Sequence, residues 1–457
     1  MEKLEFRLGK LGKYIPLIVA ALIIVKAAIS QSNVNGYVVA FFAAVVVGAC
    51  VSKDDKAYGD AIIYGLSRPM FSVIVLAVIL AAISGKLISA SGMVQTIASY
   101  VVNLGFTGRL FAAASFLITC LLAFATGTSV GTYFVVIPIL FPVGVMAGVS
   151  PEYMIGAIVS GAAFGDNLGP ISDTTIASST TQHADLGTVV KTRTRYSIPA
   201  AISALILFLV FTKTIDVNSV SLEINSTEVN PVSLIMLLVP ATIIVMCVMR
   251  KHLVVALSLG IAVGIILGLV FGIYSVSDLL SFPGGFSVEG IIISSITGTV
   301  GTVCMLIGVF SLIGVMERSG IFSDIGSLLS RFAKSRRSTE ATIVISMGLL
   351  SMLTGVISVA IVALGDIVND IGKKNNINEY RRANLLDCAG CVFCFLSPFT
   401  VHCVIPAQQS AAISEAIAVN PASIPFVNFY SLSMLVILVI AIVTGYGANE
   451  AKKQKRQ

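Results

Sequence analysis

GDNLGPISDTT, residues 165–175, sets Asp166 and Asp173 on either side of Leu168, Gly169 and Pro170, between flanks (AIVSGAAF before, IASST after) that are small and mostly apolar. A carboxylate in an apolar interior is costly unless it is paired, binds a cation or takes up a proton. Two of them astride a helix-breaking Gly-Pro suit reversible binding of Na+ or protons, because a break also frees backbone carbonyls and half-helix ends. Asn167, Ser172, Thr174 and Thr175 add neutral oxygens, and TGTSVGT (126–132) adds Thr126, Thr128, Ser129 and Thr132. The expected metal is Na+ at Asp166 and Asp173. The alternative is a pair of buried carboxylates that merely cap a kinked helix.

Weaker candidates lie in the second half of the chain. Asp366, in IVALGDIVND, is a third possible site carboxylate, although Asp370 and the lysines after it point toward a surface. His402 follows Pro398 by four residues, and Thr354 with Gly355 repeats Thr126 with Gly127. Asp387, after RRANLL, is expected in the first turns of a helix near water. Lys26 and Lys86 fall near span ends, where long cationic side chains reach the interface. Cys388, Cys391 and Cys394 have a spacing seen in iron–sulfur ligand runs, but a spacing of three also stacks residues on one helix face, and Cys403 is too far along.

The elements that must hold these residues are membrane helices. Of 457 residues 56% are hydrophobic and only 11% charged, with a mean hydropathy of +0.97, against about 25% charged in ordinary soluble domains. Stretches such as MFSVIVLAVILAAIS approach the roughly 20 apolar residues that cross a bilayer. The start MEKLEFRLGKLGK runs into the first span without a cleavage site of small residues. The net charge of +6 comes from Lys and Arg in short loops and at the ends, so it reads as topology and not as affinity for nucleic acid.

A repeat organises the chain. Thr126–Gly127 and Thr354–Gly355, Pro170 and Pro398, Ser91–Gly92 and Ser319–Gly320, and Arg109 and Arg337 all stand 228 residues apart. Equivalent loops differ in charge: NLGFTGR (103–109) is poor in Lys and Arg and RFAKSRR (331–337) rich; MAGVSPEY (146–153) has none and GKKNNINEYRR (372–382) has four. After the prolines the bias reverses, GTVVKTRTR (187–195) being basic and SEAIAVNPASIPF (414–426) free of Lys and Arg. Because basic loops stay cytoplasmic, equivalent loops lie on opposite faces.

The expected fold is therefore an all-α polytopic membrane protein of two inverted repeats, each with five spans, one re-entrant hairpin or helix pair, and one broken helix. Residues 1–228 contain hairpin 108–147 and broken span 154–182; residues 229–457 contain hairpin 338–371 and broken span 383–409. The other spans fall near 14–30, 36–51, 69–90 and 197–214, then 231–248, 252–274, 291–317 and 428–447. The breaks are assigned to Gly169 with Pro170 and to Pro398. Both termini come out cytoplasmic in a cell inner (plasma) membrane, in keeping with the tail AKKQKRQ.

These residues resemble a known family. GDNLGPISDTT, preceded by ATGTSVGTYFVVIP (125–138), resembles the NhaC-type Na+/H+ antiporter family, and RRANLLDCAG (381–390) is similar to that family's second-half segment. The resemblance covers nearly the whole chain. It implies a hairpin and a broken helix in each inverted repeat, and Na+/H+ antiport or, as in other members, exchange of organic acids such as malate for lactate with Na+ and H+, or carriage of amino acids.

The leading expectation is a secondary transporter, not an enzyme, in which Na+ and H+ compete for Asp166 and Asp173 by alternating access. The alternative is Na+- or H+-coupled exchange of a small organic acid or amino acid. No Arg or Lys is expected well inside the site, which makes a dianion harder to hold. AFGD (163–166) resembles the G-x-G-D stretch of intramembrane aspartyl proteases only faintly, since the first Gly is missing and both aspartates lie on one span. Expected partners are membrane lipid, a small ion or small-molecule substrate and a second copy of the chain. No nucleic acid and no cofactor is expected beyond the transported Na+ and H+.

Overall fold

A computed structural model describes residues 4–30, 34–215 and 230–447. The tail 451–457 and the boundary placed between residues 228 and 229 lie outside the described residues. Among the described residues the protein is mostly helical, and it is an integral membrane protein. Among the described residues seven helices are long and apolar enough to cross a membrane, and three shorter apolar ones accompany them. Helices are the natural answer here, because in lipid each backbone N–H and C=O must find its partner within the segment.

Helices Ile15–Ile29, Val34–Val51, Pro69–Ala90 and Leu253–Val270 occupy the expected spans. Residues 231–248 run from a 3-10 turn into Leu238–Val248, and 291–318 form two helices joined at Thr299. Each hairpin is a pair of helices, Gly108–Thr126 with Ser129–Met146 and Arg336–Thr354 with Ile357–Lys374. Their tips turn on Gly127 (φ +68°) and Gly355 (φ +63°), a left-handed conformation that glycine adopts without strain. Eighteen- and nineteen-residue arms reach about 27 Å at 1.5 Å per residue, longer than a shallow re-entrant loop.

Each broken span is two helices. Pro151–Leu168 stops at Gly169–Pro170 and restarts as Asp173–Thr181, while Glu379–Phe395 stops before Ser397–Pro398 and restarts as Val401–Ile413. Proline removes a donor and pushes the residue before it out of the helical region, and Gly169 has ψ 123°. Helix starts at 93, 108, 129, 151 and 173 recur at 321, 336, 357, 379 and 401, an offset of 228 residues each time. The contacts also reciprocate: Asp173–Thr181 packs on the second hairpin's return arm, and Val401–Ile413 packs on the first's.

Several elements were not anticipated from sequence. Asp55–Leu66, Met93–Asn103 and Ile321–Phe332 are additional helices, and residues 281–284 and 287–289 pair as a small β-hairpin. Two charge assignments need correction. The basic stretch 187–195 is not a loop: it begins the helix Leu186–Phe211, and Arg193 within it is completely buried. Of the four cations in 372–382 only Lys373 and Lys374 are exposed, because Arg381 pairs with buried Glu340 and Arg382 bonds Gln182 and Asn369. The difference between that region and 146–153 keeps its sign but rests on two lysines.

Candidate functional site

The first break delivers its polar groups inward. Ser172 stands at the N-cap of Asp173–Thr181 without capping it. Its hydroxyl instead donates to Asp166 Oδ1 at 2.6 Å and lies 2.9 Å from Thr174 Oγ1. From the first hairpin's tip, Ser129 Oγ donates to Asp166 Oδ2 at 2.7 Å. Asp166 is buried, holds these two short bonds, and has no ion-pair partner among the described residues. Asp173 is held by Ser358 of the second hairpin and opens into a cavity of about 250 Å³. Thr128, Ser129, Asp166, Asp173, Thr174 and Ser358 line that cavity together with His402, so its polar side chains are six oxygen donors, the hard type that suits Na+, and one imidazole.

His402 arrives from the second break. Its Nδ1 is 3.4 Å from Ser129 Oγ, and its ring stacks on Phe395 with centroids 3.9 Å apart. The two breaks differ in chemistry: 228 residues after Asp166 and Asp173 stand Cys394 and Val401. Thr400 Oγ1 closes the second break onto the carbonyls of Cys394 and Ser397. The acids are thus confined to one break, approached by hairpin tips from both halves.

Behind the site lies a second polar cluster, built around a residue that sequence reasoning passed over. Arg193 and Asp387, both without solvent exposure, pair at 2.6 Å. The guanidinium also donates to Asn167 O (2.6 Å), Thr175 Oγ1 (2.8 Å), Ser178 Oγ (3.2 Å) and Asn384 Oδ1 (3.1 Å). Asn167 belongs here and does not line the cavity: its Nδ2 donates to Asp387 Oδ1 at 3.1 Å, while its Oδ1 accepts from Ser197 (2.7 Å) and Tyr430 (3.0 Å). Two expectations are overturned. Asp387 is not near water, and a cation does stand close to the site, although its donors are taken by the chain itself.

Other candidates fall elsewhere. Thr126 Oγ1 bonds Thr132 Oγ1 within the first tip, and Thr354 Oγ1 bonds the carbonyls of Leu350 and Val356 within the second. Asp366 is exposed and lines neither cavity. Ser358 was missed; its signal was its place one residue from the counterpart of Ser129 at the repeat offset.

A second cavity, of about 730 Å³, runs between Pro69–Ala90 and the helices Ser129–Met146 and Val401–Ile413, lined among others by Lys86, Gln95, Thr302, Gln409 and Glu415. Residues 69–77 of helix Pro69–Ala90 line the aspartate cavity and residues 78–90 the larger one.

The chain is similar to proteins whose names fit this oxygen-lined site. It is 24% identical over 413 residues to the Na(+)/H(+) antiporter NhaC of Bacillus subtilis (strain 168), covering 85% of this chain and 87% of that one. With the Na(+)/H(+) antiporter NhaC of Alkalihalophilus pseudofirmus the identity is 24% over the full length of both. The Malate-2H(+)/Na(+)-lactate antiporter of Bacillus subtilis is 31% identical over 218 residues, 47% of this chain and 46% of that protein. The Na+/H+ antiporter family matches residues 8–213 and 190–443, and the chain belongs to that family.

Proposed function

We propose that the protein exchanges Na+ for H+ across the cell membrane by alternating access, the two ions competing for Asp166 and Asp173. The observation that carries this is a cavity lined mainly by side-chain oxygens, with two carboxylates that have no ion-pair partner among the described residues and hydroxyls from both hairpin tips. Na+ needs such a shell, whereas a proton needs only a carboxylate oxygen. Each ion's binding must therefore expel the other, which is the coupling an exchanger requires. The two cavities on successive stretches of one helix support a mechanism in which the site opens first to one and then to the other.

The test is flux. In proteoliposomes an imposed Na+ gradient should drive protons the opposite way with no organic solute present. A second reading, Na+-linked exchange of a small organic acid, draws on the 31% identical relative and on a cavity larger than a bare ion needs. Proton movement only after malate or lactate is added would establish that reading in place of the first.

Two inverted repeats, 1–228 and 229–457, with both termini in the cytoplasm of a plasma-membrane protein, are part of the same proposal. The constant offset of helix starts and the reciprocal hairpin contacts support it, as does the charge difference between equivalent loops. Single cysteines placed near Gly148 and near Lys374, on a background without native thiols, should react with an impermeant reagent from opposite sides. Reaction of both from one side would end the inverted-repeat reading.

A further inference from the structure

We propose that Arg193 and Asp387 form a fixed internal ion pair that exchanges no proton itself, locks the two halves of the broken helix together and sets the charge that Asp166 and Asp173 experience. The role in transport rests on the exchange reading above. The geometry is specific: the guanidinium holds Asn167 O at the end of the first half, Thr175 and Ser178 in the second half, and Asn384 and Asp387 on Glu379–Phe395. The Asn167 carbonyl, in the last turn before the break, has lost its intrahelical donor, and a cation at a helix C-terminus also meets the negative end of its dipole. Arginine's planar fork can serve several acceptors at once, which a lysine ammonium cannot reproduce in the same geometry.

The pair is wired to the site through hydroxyls. Asp166 accepts from Ser172, Ser172 lies 2.9 Å from Thr174 Oγ1, and Thr174 Oγ1 lies 3.4 Å from Asp387 Oδ1. Each hydroxyl has one hydrogen to give. When Asp166 is ionised it takes the Ser172 hydrogen, Thr174 turns its own toward Ser172, and Asp387 is left to Arg193 and the Asn167 amide. Among the described residues, the ionisable groups bonded to the pair or to Asn167 are Cys391 and Cys388 on Asp387's own helix and Tyr430, while His402 at the second break stands 3.4 Å from Ser129. Glu340 on Arg336–Thr354 is engaged by Arg381, and Asp366 and Asp370 on the second return arm are exposed.

A fixed pair gives opposite signs for its two halves, which a merely structural role would not. Asp387→Asn leaves a guanidinium uncompensated beside the site, so Asp166 and Asp173 should lose their protons at a pH lower by about one unit. Arg193→Gln leaves a carboxylate uncompensated and should raise that pH by about as much. The double variant should return to the wild-type midpoint. The readout is the infrared carboxylic-acid band of purified protein titrated without Na+, followed by Na+-evoked proton release on the same samples. Shifts of both variants in one direction, no shift in either, or loss of a titrating band with Asp387→Asn alone would overturn the proposal. Where single variants cannot be recovered folded, Arg193→Lys and the double variant decide: both must keep the wild-type midpoint, and a moved midpoint in either refutes it. A wild-type band that titrates while Na+ releases no proton would refute the exchange reading and leave the pair standing; proton release with midpoints that move together would do the reverse.

Discussion

Replacing Asp166 by Asn should abolish Na+-driven proton movement, by roughly two orders of magnitude or more in rate, while leaving the folded protein at least as resistant to heat as the wild type. The two effects part company for one reason. Asp166 is buried, and among the described residues its carboxylate is met by two hydroxyls and no cation. Two hydroxyl hydrogen bonds offset only part of the cost of burying a charge, so the amide, which keeps the volume and can accept from one of Ser129 and Ser172 through its oxygen while donating to the other through its nitrogen, removes an unfavourable term from the resting protein. It also removes one of the two carboxylates in the cavity that can alternate between a proton and a cation, so the exchange that needs both is lost. A loss of about 3 kcal/mol of differential binding is already a factor of about 100. Asp173→Asn should be milder in stability and comparable in exchange, since Asp173 faces the cavity and Ser358 holds it. The measurement is proton flux in proteoliposomes beside thermal unfolding in detergent. Exchange by Asp166→Asn at the wild-type rate and pH dependence would remove the competition mechanism.

The legible part of this protein is what lies within a few residues along the chain. Asp166, Gly169, Pro170 and Asp173 fall inside eleven residues, and a helix break with acids on either side needs only that local pattern. The hairpin tips announce themselves likewise through Thr-Gly. Illegible was whatever depends on distant pairing. Arg193 stands among Lys191 and Arg195, which are exposed, and nothing in KTRTR marks the middle cation as the one that turns inward. Asp387 finds it from the other half of the chain, so each looked like an ordinary charge near a membrane surface. The hydroxyls misled for the opposite reason. Thr126 and Thr354 have the right chemistry and place, but a tight tip has backbone and side-chain groups of its own to satisfy, and they are used there. Met93–Asn103 and Ile321–Phe332 escaped because each is too short to span and only partly apolar.

The packing that brings the first hairpin to the broken helix rests on two glycines, and a single methyl there should cost both stability and exchange. Gly161 and Gly165 have the small-xxx-small spacing that lets membrane helices approach backbone to backbone. A Cβ on Gly161 would lie 2.6 Å from Phe116 O and Thr119 Cβ; on Gly165 it would lie 2.2 Å from Ala123 Cβ and 2.4 Å from Phe124 N. These are backbone and Cβ atoms, which no rotamer change can withdraw, so helix Gly108–Thr126 must move as a body. Ser129 stands three residues beyond that helix and donates to Asp166, the residue next to Gly165. Gly165→Ala should therefore destabilise by about 1–3 kcal/mol, the usual cost of overpacking, and lower Na+ affinity as the hydroxyl is carried away from its carboxylate. Gly59→Ala supplies the control, because a Cβ at Gly59 meets nothing within 4 Å. In a helix that change should be neutral or stabilising by up to about 1 kcal/mol. The comparison is thermal unfolding and Na+-evoked proton release for both variants. If Gly165→Ala matched Gly59→Ala in both, close approach of the hairpin to the break would not be what places Ser129 on Asp166.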